Sequence, residues 1–152
     1  MSERRLPLAC VFSVSGETLT LAEKSLFTAA QPFGFILFGR NIRDNEQLKK
    51  LTDSLRAAVG WNCPIFIDQE GGRVARMKPP VWPAFLPAKI YGDKIAACDE
   101  HNLCTDMGAL ADMLRKVGID TNCAPVMDVL TEKTHQVIGD RAYSDNPDIV
   151  AK

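Results

Sequence analysis

The sequence has no excess of charge in either direction. Its 18 lysines and arginines stand against 19 aspartates and glutamates over 152 residues, a formal net charge of −1. Neither sign gathers into a run, so nothing marks a nucleic-acid surface or an anionic membrane surface. No apolar stretch approaches the roughly 18 residues that a spanning helix needs. Short internal repeats, low-complexity tracts and linkers are missing too, which leaves one domain's length of chain. The five cysteines form no Cys-x-x-Cys pair and have no metal-ligand spacing. A disulfide framework or a cysteine metal site is therefore not written here, and a reducing cytoplasm is the simplest compartment. Cys10 and Cys63 beside strands, and Cys98 and Cys104 on a helix, read as small core residues.

What is present is the composition of a globular protein, 46% apolar and 24% charged. Arg4-Arg5 ahead of Leu6–Phe12 mimics a signal peptide or lipoprotein cysteine, but the apolar part is short and Pro7 interrupts it. A first buried strand over Leu6–Val14 fits the length better. Thr20-x-x-Glu23 is a capping box that opens a helix through Gln31, which Pro32 ends. Strand two runs from Gly34 to Phe38. Asp44 with Gln47 starts a second helix; its apolar positions Leu48, Leu51, Leu55 and Val59 share one face, and Gly60 stops it. Pro64–Ile67 is strand three. A loop rich in proline follows (Pro79, Pro80, Pro83, Pro87). Then comes a long helix with Leu103, Met107, Leu110, Leu114 and Val117 on one stripe, ended by Gly118. Ile119–Ala124 is strand four. A loop of roughly twenty residues leads to Asn146-Pro147-Asp148, the cap and first turn of another helix.

Strands and helices that alternate in this way imply a parallel sheet with crossover helices. Two α/β architectures satisfy the pattern: a doubly wound sheet, or the first half of a (β/α)8 barrel. A full barrel needs about 250 residues, and a helix started at Pro147 has about one turn before Lys152, too little to be stable alone. The expectation is that residues 1–152 are the N-terminal part of a longer barrel domain, comprising about four βα units.

The most informative stretch is Ile65-Phe66-Ile67-Asp68-Gln69-Glu70-Gly71-Gly72-Arg73-Val74-Ala75-Arg76. A short apolar strand releases two carboxylates, two glycines and two arginines. Charges crowded at the end of a buried strand are costly unless they pair or bind something polar. Glycines let the backbone turn tightly and approach a ligand. In parallel α/β folds, ligands bind at the carboxyl ends of the strands.

This run resembles the signature of the family 3 glycoside hydrolases that act as β-N-acetylhexosaminidases. Asn122–Val129 followed by Val137–Ser144, and Gly34–Asn41, resemble two further segments of the same family, in the same order. The resemblance implies the (β/α)8 TIM-barrel fold and a retaining glycosidase acting on terminal non-reducing N-acetylglucosamine. It implies substrate contacts at Asp68, Arg76 and Arg141. A carboxylate accepts two hydroxyl hydrogen bonds at once and an arginine offers a fixed fork of donors. The bland alternative is ion pairing: Asp68 with Arg73 or Arg76, and the arginines with Asp68, Asp128 or Asp140. Glu70 and Arg73 are expected to hold the loop, and Asp128 to stand in or behind the site wall. Arg40 and Asn41 could line the same mouth or merely cap the next helix.

The family's acid/base histidine sits in a Lys-His-x-x-Gly-His type motif and its nucleophilic aspartate comes later. Neither motif occurs in this chain, so no catalytic residue is assigned here. His101, on the long helix, and His135, in the long loop, lack the surroundings a catalytic histidine needs. No metal or organic cofactor is implied. The resemblance points to a cytoplasmic muropeptide, N-acetylglucosamine linked to anhydro-N-acetylmuramic acid, released during cell-wall recycling. Alternatives are a β-glucosidase, a glycoside phosphorylase on the same barrel, or a non-catalytic half-barrel that binds sugar. Neither a nucleic-acid nor a membrane partner is expected, and the sequence does not set the oligomeric state. The 152-residue chain alone is expected to lack glycosidase activity and to self-associate through the open edges of strands one and four.

Overall fold

The structure is a computed structural model that describes residues 6–97 and 101–152, with the side chain of His101 left out. The expectations for Cys98 and for the His101 side chain lie outside the described residues. Packing divides the chain into two compact units: residues 6–67 with 114–121, and residues 68–113 with 122–152.

The strands β1 (Leu8–Phe12), β2 (Pro32–Leu37), β3 (Ile65–Ile67) and β4 (Thr121–Asn122) form one sheet in the order β1-β2-β3-β4. The pairs β1–β2 and β2–β3 are parallel, with Phe35 opposite Ile65 and Leu37 opposite Ile67. A doubly wound sheet would reverse its strand order at a switch point. The strictly sequential order found here is that of consecutive barrel units.

The first helix, α1 (Leu21–Ala30), starts where the capping box predicts. Glu23 N donates to Thr20 Oγ1 at 3.2 Å and Thr20 N donates to Glu23 Oε2 at 2.9 Å. The helix stops because Gln31 turns left-handed at φ 51°. Pro32 then opens β2, the strand position where a missing N–H costs least. The second helix, α2 (Asn45–Val59), is capped by Asp44, whose Oδ1 accepts from Gln47 N at 2.8 Å, and ended by Gly60 at φ 76°. Its apolar stripe Leu48, Leu51, Leu55 and Val59 is buried, along with Phe35, Leu37, Ile65 and Ile67 from the sheet. Each such side chain contributes about 2 kcal/mol of burial. Aromatic contacts extend this core: Phe27 packs edge-on against Phe35 at 4.8 Å and lies 5.8 Å from Phe12.

In the second unit two helices replace the single long one. The sequence reading misses α3 (Ala88–Ala96), which follows Pro87; α4 (His101–Lys116) is the helix it expects. Clustered prolines and Gly92 mask the period of α3. Tyr91 on α3 is buried and donates to Asp106 Oδ2 on α4 at 2.7 Å. The core here is built from Met77, Trp82, Tyr91, Ile95, Leu110 and Ala142. Cys104 is exposed, against the core expectation, because it falls one step off the Leu103–Met107–Leu110 stripe; Cys63 is buried.

Strand four is shorter than the expected Ile119–Ala124 because side chains take over part of its ladder. Asp120 Oδ1 accepts from Ile65 N at 2.8 Å. Asn122 does the same work one step on, bonding the backbone of Gln69. The loop after β4 contains a 3₁₀ turn, Gly139–Arg141, before the short helix α5 (Pro147–Val150), whose cap is Asn146. The cap of α2 is Asp44 and neither Arg40 nor Asn41. Asn41 is fully buried and its Nδ2 donates to Val14 O and Gly16 O at 3.0 and 2.9 Å, while Arg40 bonds Val14 O and Ser13 Oγ. They hold the loop that follows β1.

Candidate functional site

The charged residues after β3 belong to the second unit, and they pair among themselves and with the loop after β4. Asp68 follows directly on Ile67. Its Oδ2 accepts from Arg76 Nη2 at 2.7 Å, and both side chains remain about a quarter exposed, at 25% and 30%. Glu70 takes a different arginine. Its two carboxylate oxygens take Arg141 Nε and Nη2, each at 2.8 Å, in a fork-to-fork pair. The Glu70 side chain is 8% exposed and that of Arg141 24%. Hydrogen bonding to Glu70 raises the Arg141 pKa further, and the charges of Glu70, Asp128 and Asp68 add to it. Arg73 Nε reaches Asp140 Oδ1 at 2.8 Å while its Nη2 donates to the carbonyls of Val137 and Ile138. Three ion pairs therefore link the charged groups of the cluster.

The loop carrying these groups is closed by its own backbone. Glu70 N donates to Val74 O at 2.9 Å, and Gly71 forms an antiparallel bridge with Val74. Gly71 and Gly72 sit at φ 98° and 54°, where other residues are strained. A Cβ on Gly71 would stand 2.3 Å from Leu86 O, and one on Gly72 2.7 Å from Pro87 Cβ. The glycines thus allow the segment 85–87 to lie against the turn.

Two further groups face this cluster that the sequence reading gave no role. Cys123 is exposed as a residue, and partial burial of its thiol, then Asp68 and Glu70, raise its pKa. Tyr143 is pushed up by burial and by Glu70. Both lie within the family-like segments Asn122–Val129 and Val137–Ser144, which was the signal available in the sequence. His135 is exposed, and its Nδ1 accepts from the backbone N–H of Val137 at 3.1 Å. Among the described residues no group of three His, Cys, Asp or Glu side chains could hold a metal ion, and no helix is long and apolar enough to cross a membrane.

The arrangement can receive hydroxyl-rich, uncharged ligands. A carboxylate has about four lone-pair positions, so an Asp68 that accepts from Arg76 can still accept from hydroxyl groups. Arg76 is paired with Asp68 and Arg141 with Glu70, two residues further along the same loop, so two guanidinium groups stand beside this segment. A sequential parallel α/β sheet with polar groups following the carboxyl end of a strand marks a TIM-barrel-like protein, a class whose ligand sites lie in the strand–helix loops.

Comparison with known proteins gives the family. Residues 13–152 match the glycosyl hydrolase family 3 N terminal domain, and the chain belongs to that family. It is 38% identical over 144 residues to a beta-hexosaminidase of Idiomarina loihiensis and 33% identical over 144 residues to one of Xanthomonas oryzae. In both cases the match covers 93% of this chain and 42% of the relative, so the chain spans less than half the length of these relatives. The structure of NagZ from Neisseria gonorrhoeae in complex with N-trifluoroacetyl-D-glucosamine superposes with a TM-score of 0.82 at 30% identity, covering 96% of this chain and 46% of that one. The TIM-barrel-like fold follows from this likeness.

Proposed function

We propose that the whole protein hydrolyses terminal non-reducing β-linked N-acetylglucosamine, and that this segment recognises the sugar through Asp68, Arg76 and Arg141. The observation that carries the reading is a partly exposed Asp68–Arg76 pair directly after β3, with Arg141 held by Glu70 of the same loop. The beta-hexosaminidase relatives and the sugar-bound NagZ neighbour support the same ligand class.

In this reading the sugar hydroxyls donate to Asp68 while the guanidinium groups donate to ring substituents, and the two ion pairs hold these groups in place. Such preorganisation lowers the ordering cost of binding. The bond-breaking groups come from beyond the matched segment: an aspartate nucleophile and a histidine acid/base, in a double displacement that retains anomeric configuration. The family resemblance further supports a muropeptide of the cell-wall recycling route as substrate and the cytoplasm as the place of action.

The test is the ratio of kcat/KM for an aryl β-N-acetylglucosaminide over the matching β-glucoside. A site that bonds a polar substituent discriminates against the analogue lacking it by orders of magnitude, because its own groups are left unpaired. Strong preference for the N-acetylated substrate is expected. Comparable values would place the protein among the β-glucosidases instead.

A further inference from the structure

Gln69 stands between Asp68 and Glu70 but is only 1% exposed, so it has no surface to offer a ligand. Its amide bonds one stretch of backbone instead. Oε1 accepts from Arg76 N at 2.8 Å and from Met77 N at 3.0 Å, and Nε2 donates to Met77 O at 2.9 Å. The backbone of Gln69 is held in turn by a second amide. Gln69 N donates to Asn122 Oδ1 at 2.9 Å, and Asn122 Nδ2 donates to Gln69 O at 2.8 Å. Two side-chain amides thus link the end of β4 to Gln69 and Gln69 to the backbone of Arg76. Across that link the Arg76 guanidinium meets the Asp68 carboxylate, eight residues away in sequence, at 2.7 Å.

We infer that Gln69 is a positioning residue for ligand recognition: squared against Asn122, it fixes the Arg76 backbone so that the guanidinium and the Asp68 carboxylate present one rigid surface. This inference rests on the reading of Asp68 and Arg76 as sugar-binding groups. The chemistry explains why an amide stands at this position. The Met77 backbone asks for an acceptor and a donor at once, which Gln supplies and Glu does not. A glutamate would also put a third carboxylate between Asp68 and Glu70. An apolar side chain of the same length fills the volume but strands two N–H groups and a carbonyl beside the buried Met77. The loop would then relax, and an error of about 1 Å in a binding group is enough to lower its contribution sharply.

The test is a double-mutant cycle on the whole protein, read as N-acetylglucosamine affinity by calorimetry well below the unfolding temperature. Gln69→Met is expected to weaken binding about tenfold, the scale of one stranded buried polar group. Arg76→Ala is expected to weaken it at least as much. The double variant should bind no more weakly than Arg76→Ala alone, because Gln69 acts through Arg76. Should Gln69→Met not fold, Asn122→Asp, which keeps the acceptor for Gln69 N and loses the donor to Gln69 O, is put through the same cycle with the same non-additivity expected. A lowered unfolding midpoint with unchanged affinity, or a full further loss on top of Arg76→Ala, would show a merely structural role and overturn the inference. Loss of binding in Arg76→Ala with none in either amide variant overturns it alone. Unchanged binding in Arg76→Ala overturns the sugar-binding reading and this inference with it.

Discussion

Replacing Glu70 by alanine tests how the second arginine is held. The substitution removes both 2.8 Å bonds to Arg141 and leaves a guanidinium whose side chain is 24% exposed. Removing one partner of a fully buried pair costs about 3–5 kcal/mol, and breaking an exposed pair costs at most about 1 kcal/mol. The Glu70 carboxylate lies near the first limit, at 8% exposure, but water reaches Arg141, and the charges of Asp128 and Asp68 still act on it. The expected loss is therefore about 2 kcal/mol, between those limits. Urea unfolding of the whole protein reads it as a lower midpoint with an unchanged slope. Arg141→Ala and the double variant complete the cycle, and groups in direct contact should couple by about 1 kcal/mol or more. A loss under about 0.5 kcal/mol, the range of ordinary surface substitutions, or strict additivity in the cycle, would refute the claim that Glu70 fixes Arg141.

Two other substitutions probe the scaffold. A Cβ on Gly92 would lie 1.8 Å from Tyr143 O, a backbone atom that cannot rotate away. Gly92→Ala should cost more than about 2 kcal/mol, whereas Gly108→Ala, with nothing within 4 Å, should be neutral or stabilise α4 by up to about 1 kcal/mol; equal unfolding midpoints for the two variants would contradict this. Burial opposes the ionised form of Glu23, but hydrogen bonds from Thr20 and Ser15 outweigh it and hold the carboxyl at about 2, against an ordinary 4.5. A depressed folded pKa means that the stabilisation is whole above pH 4.5 and is lost as the pH falls toward 2. Glu23→Gln should thus cost about 1 kcal/mol at neutral pH and almost nothing near pH 2 in urea titrations, and a pH-independent difference would count against it.

The helices whose ends carry local chemistry were legible in the sequence. Thr20 with Glu23, Asp44 with Gln47, and Gly60 each act within one turn, so the amino-acid order alone locates them. By contrast, α3 was not legible, because prolines precede it and a glycine sits inside it where Tyr143 O comes close. The loop after β3 could be read as a dense charged site, since eight of its residues, Asp68 to Val74 and Arg76, carry the family pattern. Its pairing could not. The ion-pair alternative put Arg141 beside Asp68, Asp128 or Asp140, yet its partner is Glu70, 71 residues away, and Arg73 takes Asp140. Choosing among four carboxylates requires the geometry of the loop after β4, whose 3₁₀ turn at Gly139–Arg141 leaves no periodic trace. The same holds for Gln69 and Asn122, because an amide that bonds backbone looks in sequence like any other polar residue.

By this proposal sugar recognition centres on Asp68, a carboxylate that pairs with Arg76 and is still a quarter exposed. Calorimetric titration of the whole protein with N-acetylglucosamine, unaltered and as Asp68→Ala, addresses it directly. Losing a charged hydrogen-bonding partner is worth about 1.5–3 kcal/mol, so affinity should fall roughly tenfold to a hundredfold while the circular dichroism spectrum stays the same. Undiminished binding by a folded Asp68→Ala protein would contradict the central claim and leave the Asp68–Arg76 pair with only a structural role.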